Sequence, residues 1–451
     1  MAIVEVAVIP NKEALPVSEV SRGIDRIEVT FDEPNLVANA GLLLVATLTV
    51  RLGLERLINA TVDLSGRVGG ARPGRKVLTL VHAMAAGGSH IDHADMLRAG
   101  ATQSVLGHRV MAPSTLGSFL RSFTFGHIRQ LDRVLGECLR RAWGLGAGPG
   151  ADQVVIDLDS TICEVCGKAK HGAGYGYTKV LGYHPLIAIR AWTGEVLHVR
   201  MRKGAANTQR GAVRFVEELV ARVRRAGATG DLIMRFDSGF WSNTTLATLE
   251  RLEVGYTMGV RIVTSVTRAI EGIAESAWTP IDYTVDGEAH VAECVYQGRR
   301  LIVRRTRLVG RQATLWPQWR HFAFVTDRGG TAVEVDEFHR AHATVELGIR
   351  DLKEGAGLEH VPSGHFFANS AWLLCAALAH DLIRWTAMLG DITPEDHLTV
   401  ARTVRTRFLS VPGCLVNRSG RPTLRTPLEW PWADAFCRAL DLLRALPPVP
   451  V

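Results

Sequence analysis

No secretion signal opens this chain: Met1 to Pro10 holds no basic cluster followed by a long apolar run. The most apolar stretch, Gly41 to Val50, is cut off at Arg51, short of the ~20 apolar residues that span a bilayer. A soluble, cytoplasmic chain with no membrane partner is therefore predicted. Cysteine is scarce, seven residues scattered along the sequence, and an odd, dispersed set argues against a disulfide framework. Cys163-x2-Cys166 followed by His171 lacks the second cysteine pair that a structural zinc site wants. The glycine-rich Gly172 to Tyr177 lacks the Gly-Lys-Ser/Thr ending of a phosphate loop. Internal repeats and low-complexity tracts are absent.

What is present fits a large globular protein. The 451 residues are 47% hydrophobic and 22% charged, enough for a real core and for two to four domains. Lys plus Arg (52) exceeds Asp plus Glu (45), giving a formal charge of +7, and a basic surplus of this size is compatible with a polyanionic partner without requiring one.

The pattern divides the chain. Residues 1–150 read as mainly helical. Leu42 to Leu57 is rich in Leu, Val and Ala, Ser114 stands at a cap position, and Ile128, Leu131, Val134 and Leu135 repeat at helical spacing. His108, Arg109, Arg121, His127, Arg129, Arg133, Arg140 and Arg141 are interspersed. That mixture suits a helix-turn-helix-like DNA reader, and equally a set of helices with solvated basic faces. Gly144 to Gly150 reads as a linker. Residues 151–262 then alternate as strands at Gln153–Leu158, His184–Ala191 and Glu195–Met201, a helix carrying Val213, Val216, Leu219, Val220 and Val223, a strand at Leu232–Phe236, a helix capped by Asn243, and a strand at Gly255–Ile262. This is an α/β sheet whose first strands form a meander. Residues 263–332 read as a β-rich insertion, with a basic hairpin (Arg299, Arg300, Arg304, Arg305, Arg307) turning at Gly298. Helices are predicted over about 333–354 and 366–389, within a segment 333–395. A C-terminal segment, 396–451, is rich in Pro and Arg and reads as surface-attached.

The carboxylates fall at telling places on this map. Asp157 and Asp159 alternate at the end of the first strand, and Asp237 ends the fourth, where ligands of α/β sheets gather. On the later helix, His339, His342, Glu346, Arg350 and Lys353 share one face if the helix is continuous, a cationic face around one glutamate. Such a face suits DNA phosphates beside a metal-binding carboxylate. Two divalent ions about 3.5–4 Å apart activate the attacking oxygen and stabilise the leaving one in phosphodiester chemistry, and hard cations take oxygen ligands.

With these residues in view, the chain resembles a DDE transposase of a bacterial insertion sequence. The insertion sequence 4-like superfamily carries Y-x2-R-x3-E-x6-K around its glutamate; here the register reads His339-x2-His342-x3-Glu346-x6-Lys353, with the Tyr and Arg both replaced by His. Asp157-Leu158-Asp159-Ser160-Thr161, Gly172-Ala173-Gly174-Tyr175-Gly176-Tyr177 and Arg235-Phe236-Asp237-Ser238-Gly239-Phe240 are similar to the insertion sequence 1380 family. The resemblance, over about residues 150–390, implies a ribonuclease-H-like catalytic core with a β-rich insertion and a helical N-terminal domain. It implies a catalytic triad Asp159, Asp237 and Glu346 holding two Mg2+ (or Mn2+) ions. Lys353, Arg350, His339 and His342 would contact DNA. The partner would be double-stranded DNA, at transposon ends and target, bound by a homodimer in a synaptic complex. Asp159 is favoured over Asp157 because Asp159-Ser160-Thr161 fits the family's Asp-x-Thr/Ser pattern; Glu354, at a helix end, lies outside the signature. Lys168, Lys170, Tyr175, Tyr177 and Lys179 could touch DNA from a loop, and Trp278, Trp316 and Trp319 could stack on a displaced base, or each could serve the surface or core. A nuclease without strand transfer, an inactive DNA-binding relic and a metal hydrolase unrelated to nucleic acid stay open as other readings.

Overall fold

A computed structural model describes residues 24–167, 169–176, 178–283, 287–308, 319–392 and 400–450. Lys168, Tyr177 and Trp316 lie outside the described residues. After the short strand Leu36–Val37 (β1) come helices Leu42–Arg51 (α1), Leu54–Thr61 (α2), Pro73–Ala85 (α3), Thr102–Leu106 (α4), Pro113–Arg121 (α5) and Phe125–Ala142 (α6). In α6 the apolar spacing works as read: Leu131, Val134, Leu135, Cys138 and Leu139 form one buried stripe. Thr124 and His127 close its start reciprocally. Ser114 is not a cap. Ala112 holds that position and Pro113 opens α5, where a missing N–H costs nothing.

The glycine-rich stretch after α6 is docked. Trp143 continues the helix into a wider turn, is buried, and donates its indole N–H to Glu195 at 2.9 Å.

The sheet strands follow: Val154–Ser160 (β2), Cys163–Glu164 (β3), Gly174–Tyr175 (β4), Leu181–Tyr183 (β5), Leu186–Arg190 (β6) and Val196–Arg200 (β7). Helix Ala212–Ala226 (α7) leads to Leu232–Phe236 (β8), and helix Asn243–Arg251 (α8) to Gly255–Val260 (β9). Ser242, not Asn243, precedes α8 as its cap, without a side-chain bond. The glycine-rich loop folds into its own small sheet, β3-β5-β4.

Helix Thr264–Glu271 (α9) precedes Thr279–Pro280 (β10), Gly287–Tyr296 (β11), Arg299–Leu308 (β12) and Arg320–Thr326 (β13). These strands build no separate sheet. They add edge-on to β9 and give a nine-stranded order β10-β11-β12-β13-β9-β8-β2-β6-β7. The central strands β2, β8 and β9 run parallel, and the pairs on either side are antiparallel.

The remaining elements are helices Ala332–Arg340 (α10), Thr344–Arg350 (α11), Phe366–Leu389 (α12) and Ala401–Val404 (α13), the hairpin Gly413–Arg418 (β14) and Arg421–Arg425 (β15), and helix Ala433–Ala445 (α14). Among the described residues, α12 is the one helix long and apolar enough to cross a membrane by length and composition, and most of it is buried inside the protein. It packs against α1, α3, α5, α6 and the edge strand β7, and its Asp381 accepts the Val196 N–H at 2.8 Å. The N-terminal helices and the sheet therefore share one core.

That shared core has a measurable consequence. Trp372 is fully buried and donates its indole N–H to the Gly357 carbonyl at 2.9 Å. Trp372→Ala should cost roughly 3–5 kcal/mol in urea unfolding. The wild-type transition should be single, with no separately melting 1–150 unit.

Candidate active site

Register sets the site. In the parallel pair β2/β8, Leu158 lies opposite Phe236. Asp159 and Asp237 each follow one residue later, so the two carboxylates emerge side by side at the carboxyl ends of neighbouring strands. Asp237 also starts a tight helical turn, Ser238–Phe240, accepting the Gly239 N–H at 3.1 Å. That turn crowds β9: a Cβ at Gly259 would stand 2.7 Å from the Ser238 nitrogen, so only glycine fits there.

Glu346 comes from α11. Val345 and Ile349 are buried while Glu346 stays exposed. A Cβ on Gly348 would meet the Ile189 side chain at 2.8 Å, so this glycine lets α11 lie close on β6 beside β2. The result is a shared negative field. Burial pushes the Asp159 carboxyl up to about 6, and the charges of Asp237 and Glu346 add to the rise; the Ser160 N–H, at 2.6 Å, and His342 oppose it. Asp237, on the open side, is also raised, first by desolvation at the strand ends, against the pull of His342 and Arg261. Beside it opens a cavity of about 710 Å3 lined by Arg261, Tyr283, Arg304, Phe322, His339, Arg340 and His342.

The helical path over 332–355 is continuous but not uniform. Residues 332–355 run as α10, a tight turn Ala341–Ala343, α11 and a wider turn Asp351–Gly355. Both histidines face inward. His339 Nδ1 bonds Thr257 Oγ1 at 2.8 Å, its ring stacks on Phe324 at 4.0 Å, and burial lowers its pKa to about 3, so it is neutral at neutral pH. His342 Nδ1 meets Asp157 Oδ1 at 2.8 Å. Lys353 donates to the Ile162 carbonyl at 2.8 Å, just past β2. Arg350 is exposed and has no ion-pair partner among the described residues.

Asp157 has a different environment from Asp159. It is buried, and Arg235 holds both its oxygens, at 2.6 and 2.7 Å. Arg235 also donates to the Phe338 carbonyl at 2.8 Å and lies over the Phe338 and Trp192 rings. One clamp thus joins β2, β8, the end of α10 and, through His342, the turn before Glu346. In the sequence Arg235 stands in the family-like run Arg235-Phe236-Asp237, which gave it no role; its partnership with Asp157 is visible only in the fold.

Several other basic residues that the sequence offered for DNA are engaged internally. Every arginine of the insertion hairpin is ion-paired: Arg299 with Glu250, Arg300 with Glu293, Arg304 with Asp336, Arg305 with Glu275 and Arg307 with Glu288. Trp278 and Trp319 stack on Arg305 at 4.2 and 4.3 Å. In the N-terminal region His108 bonds buried His82, Arg129 pairs with Glu218, and Arg141 is buried against the Leu52 carbonyl. Lys170 donates to the Val361 carbonyl.

One group with metal-ligand spacing escaped the sequence reading. Asp132, His198 and Glu218 bring ligand atoms within 4.8 Å of one another, the one such group among the described residues. Asp159, Asp237 and Glu346 are not drawn that close. Arginines already occupy the first group, however. Arg222 bonds Asp132 at 2.6 Å, and Glu218 accepts from Arg129, Arg200 and Arg214. Burial alone would raise the Asp132 carboxyl, but Arg222 and His198 reverse this and hold it well below the usual range. The group is neutralised, whereas Asp159 and Asp237 face each other without a bound arginine.

Residues 21–448 match the family model described as Transposase DDE domain group 1. Comparison with curated proteins gives no match. Among solved structures, the chain is similar to a piggyBac transposase in a synaptic complex with hairpin DNA, determined by cryo-electron microscopy. The identity is 13%, the TM-score 0.44, and 82% of this chain and 79% of that one are covered.

The raised Asp159 carboxyl ties stability to pH. The fold binds its proton more tightly than the unfolded chain, so stability falls as pH rises from about 4 through about 6. In chelator, Asp159→Asn should melt a few degrees above wild type at pH 7 to 8, and this advantage should vanish near pH 4. By contrast, Arg235→Ala leaves Asp157 buried without its guanidinium and should cost roughly 3–5 kcal/mol in denaturant unfolding.

Proposed function

The chain belongs to the DDE transposase family, and from that premise we propose that it cuts and joins DNA at Asp159, Asp237 and Glu346. The observation that carries this reading is the β2/β8 register, which sets Asp159 beside Asp237 while Asp159 feels the charge of Glu346. The donor set is all oxygen and none of the three carboxylates is ion-paired among the described residues, which suits a hard divalent cation such as Mg2+ or Mn2+. A two-ion site spans about 3.5–4 Å between ions, so its carboxylates need not crowd as a single-ion cage would. The sheet order β7-β6-β2-β8-β9, antiparallel on one side of β2 and parallel on the other, supports a ribonuclease-H-like core. Placement among the insertion sequence 4-like and 1380-like enzymes rests on the Glu346-x6-Lys353 register and the motifs around Asp159 and Asp237.

Bound divalent ions would activate the attacking oxygen and stabilise the leaving one. The protein's own groups do the positioning. Asp159 and Asp237 fix the acceptor oxygens on two rigid strand ends. His342, held by Asp157, orients the turn that delivers Glu346. Arg350 offers an exposed cation to a phosphate, and Lys353 stands beside the chain leaving β2. His339, neutral and enclosed, supports the wall of the cavity and would reach DNA only through that cavity. In the proposed reaction a homodimer binds the terminal inverted repeats of double-stranded DNA, frees a 3′-hydroxyl and joins it to target.

A labelled transposon end incubated with Mg2+ and a target plasmid tests this. Wild type should yield both cleaved and joined products. Asp159→Ala, Asp237→Ala and Glu346→Ala should reduce both to background while retaining DNA binding. His342→Ala should lower the rate roughly 10–100-fold, as loss of a group that orients a ligand does. Cleavage without joining would favour a nuclease, and unchanged activity of Asp237→Ala would overturn the triad.

A further inference from the structure

Residues 400–428 contain six arginines and no aspartate or glutamate, although the whole chain is nearly balanced, at 52 basic to 45 acidic residues. Three of the six lie on the β14–β15 hairpin, and its register sorts them. Arg418 pairs with Arg421, Val416 with Thr423 and Cys414 with Arg425; the alternate pairs are Asn417 with Pro422 and Leu415 with Leu424. With side chains alternating between faces, Arg418, Arg421 and Arg425 share one face. Leu415 and Leu424, on the other, pack on Val37, Ala40, Val105 and Val411. The arginine face is exposed, and none of the three has an ion-pair partner among the described residues.

The contrast with β12 is informative. There, five arginines on a hairpin each meet a carboxylate. Here the hairpin is docked by its leucines, stiffened by a two-residue turn in which Ser419 and Gly420 have φ of 50° and 82°, and left uncompensated. The acid-free segment that leads into the hairpin starts near the candidate site. Asp351, five residues past Glu346, accepts the Ala401 N–H at 2.8 Å and so fixes the start of this cationic segment.

We propose that the β14–β15 hairpin grips the phosphate backbone of double-stranded DNA through Arg418, Arg421 and Arg425. Arg421 and Arg425 are about 13 Å apart along the strand, a span that passes several phosphates of a duplex. Charged residues and Pro422 on an edge strand also deter edge-to-edge pairing, but that task calls for no one-sided face of arginines and no wider acid-free segment. The proposal rests on this chain's acting on DNA and is independent of which carboxylates do the chemistry.

The test is binding of the full-length protein to a labelled 40-bp duplex (roughly four helical turns) across a salt series, without divalent metal. The triple variant Arg418→Ala/Arg421→Ala/Arg425→Ala should bind on the order of tenfold or more weakly at physiological salt. Its slope of log affinity against log salt should fall by about 2 to 3, since each lost phosphate contact removes about 0.9. The triple Lys variant should restore most of the slope. If the triple Ala variant is unstable, Arg421→Ala alone should lower the slope by about 1. Unchanged affinity and slope in a folded triple variant would overturn the hairpin's role, as would self-association of that variant with DNA affinity intact. Wild-type protein that binds no duplex would instead sink the transposase reading itself, and the hairpin proposal with it.

Discussion

The buried pair Asp157–Arg235 is the constraint on which the site depends. Two full charges leave water there, and such a pair is tolerable only if every polar atom finds a partner. Here they do: Arg235 bonds both Asp157 oxygens and the Phe338 carbonyl, and Asp157 also meets His342. The bonds join three stretches of chain distant in sequence: β2, β8 and residues 338–342. They lock the β2/β8 register two residues short of Asp159 and Asp237, and they hold the turn that precedes Glu346. Asp157 therefore serves the neighbouring aspartate by being spent on the scaffold.

Charge compensation separates the candidate site from its surroundings. Two other charged clusters are neutralised internally. The insertion arginines face glutamates and Asp336, and the Asp132–His198–Glu218 group is filled by guanidinium groups. At the strand ends two carboxylates confront each other, with Glu346 in the same field, and burial raises both aspartates. In the proposed function, unpaired carboxylates at the strand ends would hold cations, and the unpaired arginines of the β14–β15 hairpin would hold the polyanion.

Local pattern made much of this legible. Leu232–Phe236 and Phe366–Leu389 have the bounds their apolar runs predicted, and the glycine at 298 turns the hairpin where expected. Asp159 and Asp237 stand at strand ends because that follows from the strand pattern alone. What stayed hidden is nonlocal. The insertion's docking on β9 depends on a pairing no run of residues encodes, and so do the glutamates that meet its arginines. Arg235 gains its meaning from a residue 78 positions away. The helical-face reading of His339, His342, Glu346, Arg350 and Lys353 took the helix as uniformly wound and its polar face as open to solvent. The winding tightens at 341–343 and widens at 351–355, the histidines pack on Thr257, Phe324 and Asp157, and Lys353 reaches the Ile162 carbonyl.

The central claim is that Asp159, Asp237 and Glu346 form the metal-binding centre and that the Asp132 group does not. Anomalous diffraction from crystals grown with Mn2+ measures this directly. The account requires two Mn2+ peaks about 3.5–4 Å apart, bounded by Asp159, Asp237 and Glu346 at ligand distances near 2 Å. Mn2+ bound between Asp132, His198 and Glu218, with the strand ends empty, would contradict it.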